Sequence, residues 1–167
     1  MSSPPLSILE LARKCIRSDT PITVAKMDAA QEQLEGAIYN LFYGNWACAV
    51  TLACAAEGML ETNEEGDDLF SIAKKLGTTD VDKNGRKIAD YLNDLPHWLK
   101  HKTPNKSGSY SICQWDAVQA VLRALSKLVV HQPEQGDAES ASENVHAFQV
   151  WYVKNYPELI ETNELPK

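Results

Sequence analysis

Hydrophobic positions recur every three to four residues along most of the chain, which is the spacing of one face of an α-helix. The helices that this pattern predicts are long ones over about 23–43, 46–60, 86–100 and 115–129 and shorter ones over about 8–16, 69–76 and 145–156. No segment of useful length alternates with a period of two, as a half-buried strand would. We therefore predict an all-α protein, an up-and-down bundle of about four long helices with extra short N- and C-terminal helices.

Prolines and polar stretches divide the chain into three parts. Residues 1–20 form an N-terminal arm with a short helix, which ends before Pro21 because the residue preceding a proline is biased away from helix. Residues 21–131 form the helical bundle. Residues 132–167, which are rich in acidic side chains, form a linker and a C-terminal helix.

The predicted helix over 46–60, WACAVTLACAAEGML, is apolar on nearly every side and rich in small residues. Such a helix belongs at the centre of a bundle, where small side chains let neighbouring helices approach closely. Cys48 and Cys54 fall inside it and are expected to be small buried hydrophobes. The core positions predicted for the whole bundle are Leu34, Ile38, Leu41, Val50, Leu52, Leu92, Leu99, Val118, Leu122 and Leu125.

Local residue types predict where helices begin and end. Gly44 follows the second predicted helix at the position where a left-handed residue ends a helix. Asp67 or Asp68 can cap the helix over 69–76. Pro96 interrupts an otherwise regular stripe, so we expect a kink or a fresh helix there.

The 167-residue chain is acidic, with 23 Asp and Glu against 16 Lys and Arg and a net charge of −7. This composition excludes a generally basic nucleic-acid binder. No window reaches about 18 uninterrupted apolar residues, and the first residues lack a basic and apolar leader, so we expect neither a membrane span nor secretion. Without an export signal, a reducing cytoplasm is the simplest compartment. The four cysteines form no C-x-x-C pair, so we expect neither a structural disulfide nor a zinc site, and no cofactor.

One segment runs against this acidic composition. Residues 97–106, HWLKHKTPNK, contain three lysines, two histidines and no acid. We predict that this basic cluster binds nucleic acid or a nucleotide, with Trp98 available for base stacking. The predicted contact residues are His97, Trp98, Lys100, His101, Lys102 and Lys106. The alternative is a solvated basic helix end, which the helix dipole favours.

The same segment admits two chemical alternatives. Asp94, His97 and His101 are spaced three and four residues apart, so one helix face would present a carboxylate and two imidazoles to a divalent transition metal. Otherwise His101 is an acid–base group, because the cations of Lys100 and Lys102 favour its neutral form. The sequence contains none of the common nucleotide-hydrolase, dinucleotide, serine-hydrolase or zinc-protease motifs.

Three stretches, ITVAKMDAAQEQLEGAIYNLF, the Ala-rich TLACAAEGML, and WLKHKTPN before a long helix, form a recognisable pattern. In this pattern the chain resembles HEPN-type helical domains, particularly small bacterial members, over roughly residues 22–130. The resemblance implies an up-and-down bundle that is often dimeric. It also implies that active relatives are metal-independent RNases with an Arg-x4-6-His motif, in which Arg steadies the scissile phosphate and His assists attack by the ribose 2′-hydroxyl.

His101 matches the His of that motif, but Pro96 stands five residues before it, where Arg is expected. With His97 as the motif His and Asn93 as the polar residue, Leu92 takes the Arg position. Neither register supplies the Arg, so we expect a non-enzymatic binding or regulatory module. The alternative is a weak metal-independent RNase that uses His101.

A homodimer is expected for two reasons. The predicted helix over 46–60 has no polar face to turn toward solvent. The C-terminal helix presents Phe148, Trp151 and Tyr152 beyond a polar linker, which suits docking across a subunit boundary. Trp115 and Trp151 fall on apolar stripes and are expected to be buried.

Overall fold

The computed structural model describes residues 21–61, 68, 71, 88–100, 108–137 and 141–159, and these residues form helices without any strand. The α-helices are α1 Lys26–Phe42, α2 Trp46–Met59, α3 Ile88–Lys100, α4 Gln114–His131 and α5 Glu143–Asn155, with 310 helices Pro133–Gly136 and Pro157–Leu159. The all-α prediction is confirmed. The predicted helix over 8–16, and most of the one over 69–76, lie outside the described residues. No described helix is both long and apolar enough to cross a lipid bilayer.

Helices α1 and α2 form an antiparallel hairpin with a three-residue connection. Gly44 lies in it at a φ of 76°, a left-handed conformation that favours glycine. The Gly44 amide donates to the Leu41 carbonyl at 3.1 Å, and the Asn45 amide donates to the Asn40 carbonyl at 2.9 Å. These two bonds are the Schellman motif, so the predicted stop after α1 is confirmed.

Helix α2 packs between α1 and α4. Two contacts give the relative direction of α2 and α4. Glu57 contacts Arg123, and further along both segments the Glu61 carbonyl lies 3.0 Å from Nε2 of His131. The two helices therefore run in the same direction, as up-and-down connectivity requires of alternate helices. The small residues at their contact are fully or almost fully buried, as predicted for the centre of the bundle: Ala49, Ala53, Ala56, Ala117 and Ala124.

Most predicted core positions are buried, and the exceptions lie at the edges of the helix contacts. The buried ones are Leu34, Ile38, Leu41, Val50, Val118 and Leu125. Leu52, Leu99 and Leu122 are partly buried against this core, and Leu92 is half-buried. Trp115 and Trp151 are also partly buried against it.

The prediction that α2 is apolar without a solvent face is wrong. Cys54 is buried, but Cys48 is exposed, and so are Ala47 and Thr51. These three residues share one side of the helix, which α1 and α4 leave uncovered. Because α2 is almost uniformly apolar, its sequence contains no polar face from which the solvent-exposed side could be predicted.

Helix α5 docks on the bundle of its own chain, mainly against α1. Val145 and Phe148 have no exposed surface, and the ring of Trp151 meets that of Phe42 edge-on at 5.6 Å. The preceding segment is also fastened, because Gln135 is buried and its Oε1 accepts a hydrogen bond from the Ser142 amide at 3.3 Å. Docking within the chain removes one of the two reasons to expect a dimer.

Candidate functional site

Charged side chains gather in a pocket of about 250 Å³ enclosed mainly by α2, α3 and α4. Among the described residues, its charged lining side chains are Glu57, Asp68, Lys100, Arg123 and Lys127. We call it the charged pocket. Asp68, Arg123 and Lys127 are buried, although charged residues are rarely buried in globular proteins unless they are paired. The contacts of each group therefore decide what the pocket can bind.

An ion pair between Glu57 and Arg123 forms the inner wall of the charged pocket. Nη2 of Arg123 lies 2.8 Å from Oε2 and 3.0 Å from Oε1 of Glu57. The two side chains are only 13% and 10% exposed, so water screens this pair far less than a surface pair. The partners are 66 residues apart in sequence, and they fasten α4 to the end of α2.

Arg123 also contacts α3, where it donates a hydrogen bond to the Leu92 carbonyl. Pro96 has no N–H, so the carbonyl of Leu92, four residues earlier, loses its normal helical donor. Nη1 of Arg123 donates to that carbonyl at 3.0 Å, and Nη2 lies 3.3 Å from Oδ1 of Asn93. Helix α3 continues through Pro96 to Lys100, so the predicted fresh helix start is not observed.

Lys127 lies one helical turn after Arg123 and faces the end of α2. Its Nζ donates to the Glu57 carbonyl at 3.1 Å. This carbonyl belongs to the last turn of α2, where carbonyls lack intrahelical donors and the helix dipole favours a cation. Lys127 is therefore a C-terminal cap for α2 and a cation of the charged pocket.

Asp68 supplies the second carboxylate, which Ser71 holds. Oδ1 accepts from the Ser71 amide at 3.0 Å, and Oδ2 accepts from the Ser71 hydroxyl at 2.7 Å. A side chain that accepts from the amide three residues later is a helix N-cap, so the capping role predicted for Asp67 or Asp68 belongs to Asp68.

Cys54 lies beside the ion pair and is the thiol of the charged pocket. Burial raises the pKa of this thiol above its ordinary value, and the carboxylate of Glu57 raises it further. The cations of Arg123 and Lys100 act in the opposite direction but do not cancel the effect of burial. The thiol is therefore neutral near pH 7 and lacks the thiolate character of a nucleophile.

The basic cluster meets the charged pocket at Lys100, an exposed residue on the last turn of α3. His97 is exposed one turn earlier, about 60° around the helix from Lys100. Trp98 points about 200° away from Lys100, and its half-buried ring lies 5.5 Å from the ring of Tyr110. The structure thus brings together Lys100 and His97, with Trp98 on another side of α3. His101, Lys102 and Lys106 lie outside the described residues.

The structure describes two of the three residues of the metal alternative, Asp94 and His97. Oδ2 of Asp94 accepts a hydrogen bond from the Tyr110 hydroxyl at 2.9 Å, and His97 is exposed. His101, the third residue, lies outside the described part of the chain. Within the part that is described, no three His, Cys, Asp or Glu side chains are grouped as metal ligands.

Three residues of the charged pocket were missed by sequence reasoning, although the pattern contained a sign of each. Glu57 is the only charged residue of α2, at the end of an otherwise uncharged helix. Arg123 and Lys127 stand four apart, on one face of α4, among apolar neighbours. Compared with protein-family models, with curated proteins and with solved structures, the chain matches none.

Proposed function

We propose that the protein is a non-enzymatic binding module of HEPN-like form that holds a phosphate-bearing ligand, a nucleotide or RNA, at the charged pocket. One observation supports this most: Lys100, from the basic cluster, lines the same pocket as the buried cations Arg123 and Lys127. A ligand that reaches Lys100 from solvent would therefore lie beside the side chains of Arg123 and Lys127 as well. Phosphate oxygens are acceptors for such cations.

The acidic composition of the chain does not oppose a local contact. The net charge of −7 acts over the whole surface, whereas salt screens charges beyond about 8–10 Å at physiological ionic strength. Lys100, which lines the charged pocket, acts within that distance of a phosphate bound there. Binding at this surface is expected to weaken with added salt.

Replacing both Lys100 and Lys102 by Glu is expected to abolish binding of a labelled single-stranded RNA or nucleotide in fluorescence anisotropy at low salt. The change reverses the charge of Lys100, which lines the charged pocket, and that of Lys102, the next lysine of the basic cluster. Lys26→Glu with Lys154→Glu is the matched control, because both lysines are exposed on other helices and the net charge changes equally. If both double variants lose the same affinity, the effect belongs to the net charge and the proposed surface is wrong.

The same RNA separates binding from catalysis. We expect structured RNA to remain intact after incubation with the pure protein, with or without a chelator. Metal-independent cleavage that disappears in His101→Ala would contradict the binding module and support the RNase alternative. Tight binding of a transition metal that disappears in His97→Ala would contradict the binding module and support the metal-binding alternative.

We also propose that the protein is a homodimer that associates through the exposed side of the α1–α2 hairpin. Ala47, Cys48 and Thr51 line a shallow apolar groove of about 340 Å³ on this side. Tyr39 and Tyr43 are exposed on α1 with their rings stacked 4.5 Å apart. None of these five residues is charged, and depletion of charge is a property of interface centres.

Sedimentation at micromolar concentration is expected to give about twice the chain mass of 18.6 kDa. Ala47→Lys with Thr51→Lys should give a monomer, because two like charges would meet their copies across a two-fold axis. Asn144→Lys with Ala147→Lys adds the same charges to exposed positions of α5 and should leave the dimer intact. A monomer of the unaltered protein at high concentration would refute the proposal.

A further inference from the structure

We infer that residues 8–16 of the N-terminal arm dock as an amphipathic helix on the end of their own bundle, in a pocket beside the start of α1. The pocket has a volume of about 240 Å³, and its described lining residues are Lys26, Met27, Met59, Leu60, Glu61 and His131. We call it the end pocket. It shares no described lining residue with the charged pocket, so failure of this contact would leave the proposed function standing.

The end pocket has an apolar floor and a polar rim. Leu60 is buried, and Met27 and Met59 are partly buried against the core. The other described lining side chains are polar and exposed. An apolar centre within a polar rim is the arrangement of a protein interface, and methionine side chains adapt to the shape of what they contact. The end pocket therefore suits a segment that is apolar on one side and polar on the other.

The sequence of residues 8–16, ILELARKCI, has this character. Its apolar positions recur at the spacing of one helix face: Ile8, Leu11, Ala12, Cys15 and Ile16. Glu10 and Lys14 fall on the opposite face. A helix of nine residues is too short to be stable alone in water, so it needs a surface on which to bury its apolar face.

The arm joins the bundle at the end pocket itself. Lys26 is the first residue of α1 and lines this pocket. Residues 17–25, which link the predicted helix to α1, span at most about 30 Å, and Ile22 and Val24 within them expose apolar side chains. The apolar groove of α2 lies farther away, because its lining residue Asn40 is about 21 Å along α1 from Lys26. The end pocket is thus the closer of the two apolar surfaces.

The charge of the arm matches this end of the bundle. Residues 8–17 contain three basic side chains and one acidic side chain, a net charge of +2. Helices α2 and α4 both end here, at Met59 and His131, whereas only α1 begins here. The C-terminal end of a helix carries partial negative charge. Lys26 and Glu61 at the rim have opposite charges, so the two helix C-termini favour a basic segment.

Cys15 provides a point of attachment for a distance test in the full chain. The exposed cysteines Cys48 and Cys113 are first replaced by serine, which leaves Cys15 and the buried Cys54. A second thiol is then introduced by Glu61→Cys at the end pocket or by Tyr43→Cys after the opposite end of α1. Both positions are exposed.

We expect a short bis-maleimide to join Cys15 to the thiol of Glu61→Cys, within one chain, at least about tenfold faster than to that of Tyr43→Cys, because docking raises the effective concentration at the end pocket. Similar rates at the two positions overturn the docking. A cross-link that joins two chains on a denaturing gel overturns docking within the chain and assigns the end pocket to the arm of a second copy.

Two double variants of the arm show whether its apolar face makes the contact. Ile8→Asn with Leu11→Asn should lower the rate at Glu61→Cys to that at Tyr43→Cys. Glu10→Asn with Lys14→Asn is the matched control, because it also preserves the net charge but changes the opposite face, and it should leave the rate unchanged. A rate that both double variants leave unchanged overturns the contact through the apolar face.

Trypsin provides a second measurement that needs neither label nor introduced cysteine. We expect cleavage after Arg13 and Arg17 of the unaltered chain to be about tenfold slower than in Ile8→Asn with Leu11→Asn, because a docked arm must detach before it is cut. Mass spectrometry of the N-terminal peptides measures both rates. Equal cleavage of the two proteins contradicts the docked arm.

Discussion

Glu57→Gln lowers the free energy of unfolding by about 3–5 kcal/mol, because it removes the carboxylate that pairs with the buried guanidinium of Arg123. The amide has the shape of the carboxylate, so the change removes charge and little packing. Arg123 is 10% exposed and cannot recover its hydration without moving away from Leu92 and Asn93. Urea unfolding followed by circular dichroism measures the loss.

Two further variants show whether the loss comes from the buried charge. Glu61→Gln removes a charge from an exposed side chain two residues after the end of α2 and should change stability by no more than about 0.5 kcal/mol. Glu57→Leu with Arg123→Met replaces the pair by apolar groups and should recover most of the stability. A cost of less than about 1 kcal/mol for Glu57→Gln would mean that water screens the pair as at a surface.

Phe148→Ala lowers the free energy of unfolding by about 3–5 kcal/mol, the range for a large aromatic side chain lost from a core. Phe148 has no exposed surface, and its ring lies about 6 Å from the rings of Trp151 and Tyr152. The cavity left by alanine would separate α5 from α1, so the same variant should also become sensitive to proteolysis between α4 and α5.

Val150→Ala is the control for this variant, because Val150 is 55% exposed on the other side of α5. It should unfold at nearly the urea concentration of the unaltered protein. Were Phe148→Ala to behave like Val150→Ala, α5 would not be docked on the bundle in solution.

The fold was predictable where one helix face differs from the other. In α1, Leu34, Ile38 and Leu41 mark one stripe, and Gly44 marks the end, so both the helix and its stop were found. In α2 the faces do not differ, because apolar and small residues occupy nearly every position. The exposed side with Cys48 was therefore placed in the core.

Of the charged residues that line the charged pocket, the sequence predicted a binding role only for Lys100. Lys100 belongs to a run of basic residues that stands out locally, whereas Glu57 and Arg123 are isolated charges on two helices. Their pairing depends on the packing of segments 66 residues apart, which no local pattern encodes. Helical rotation likewise places Lys100 and Trp98 on different sides of α3, although they are only two positions apart in the sequence.

The distance in sequence between α2 and α4 has a consequence for how the chain is made. Seventy-two residues separate the end of α2 at Met59 from the end of α4 at His131, and a ribosome adds them in about 4–14 s at about 5–20 residues per second. During that interval the α1–α2 hairpin is complete, but the helix that covers its inner side has not been synthesised. Helix α2, whose single charged residue Glu57 has not yet met Arg123, is then the part of the nascent chain that depends on shielding from other polypeptides.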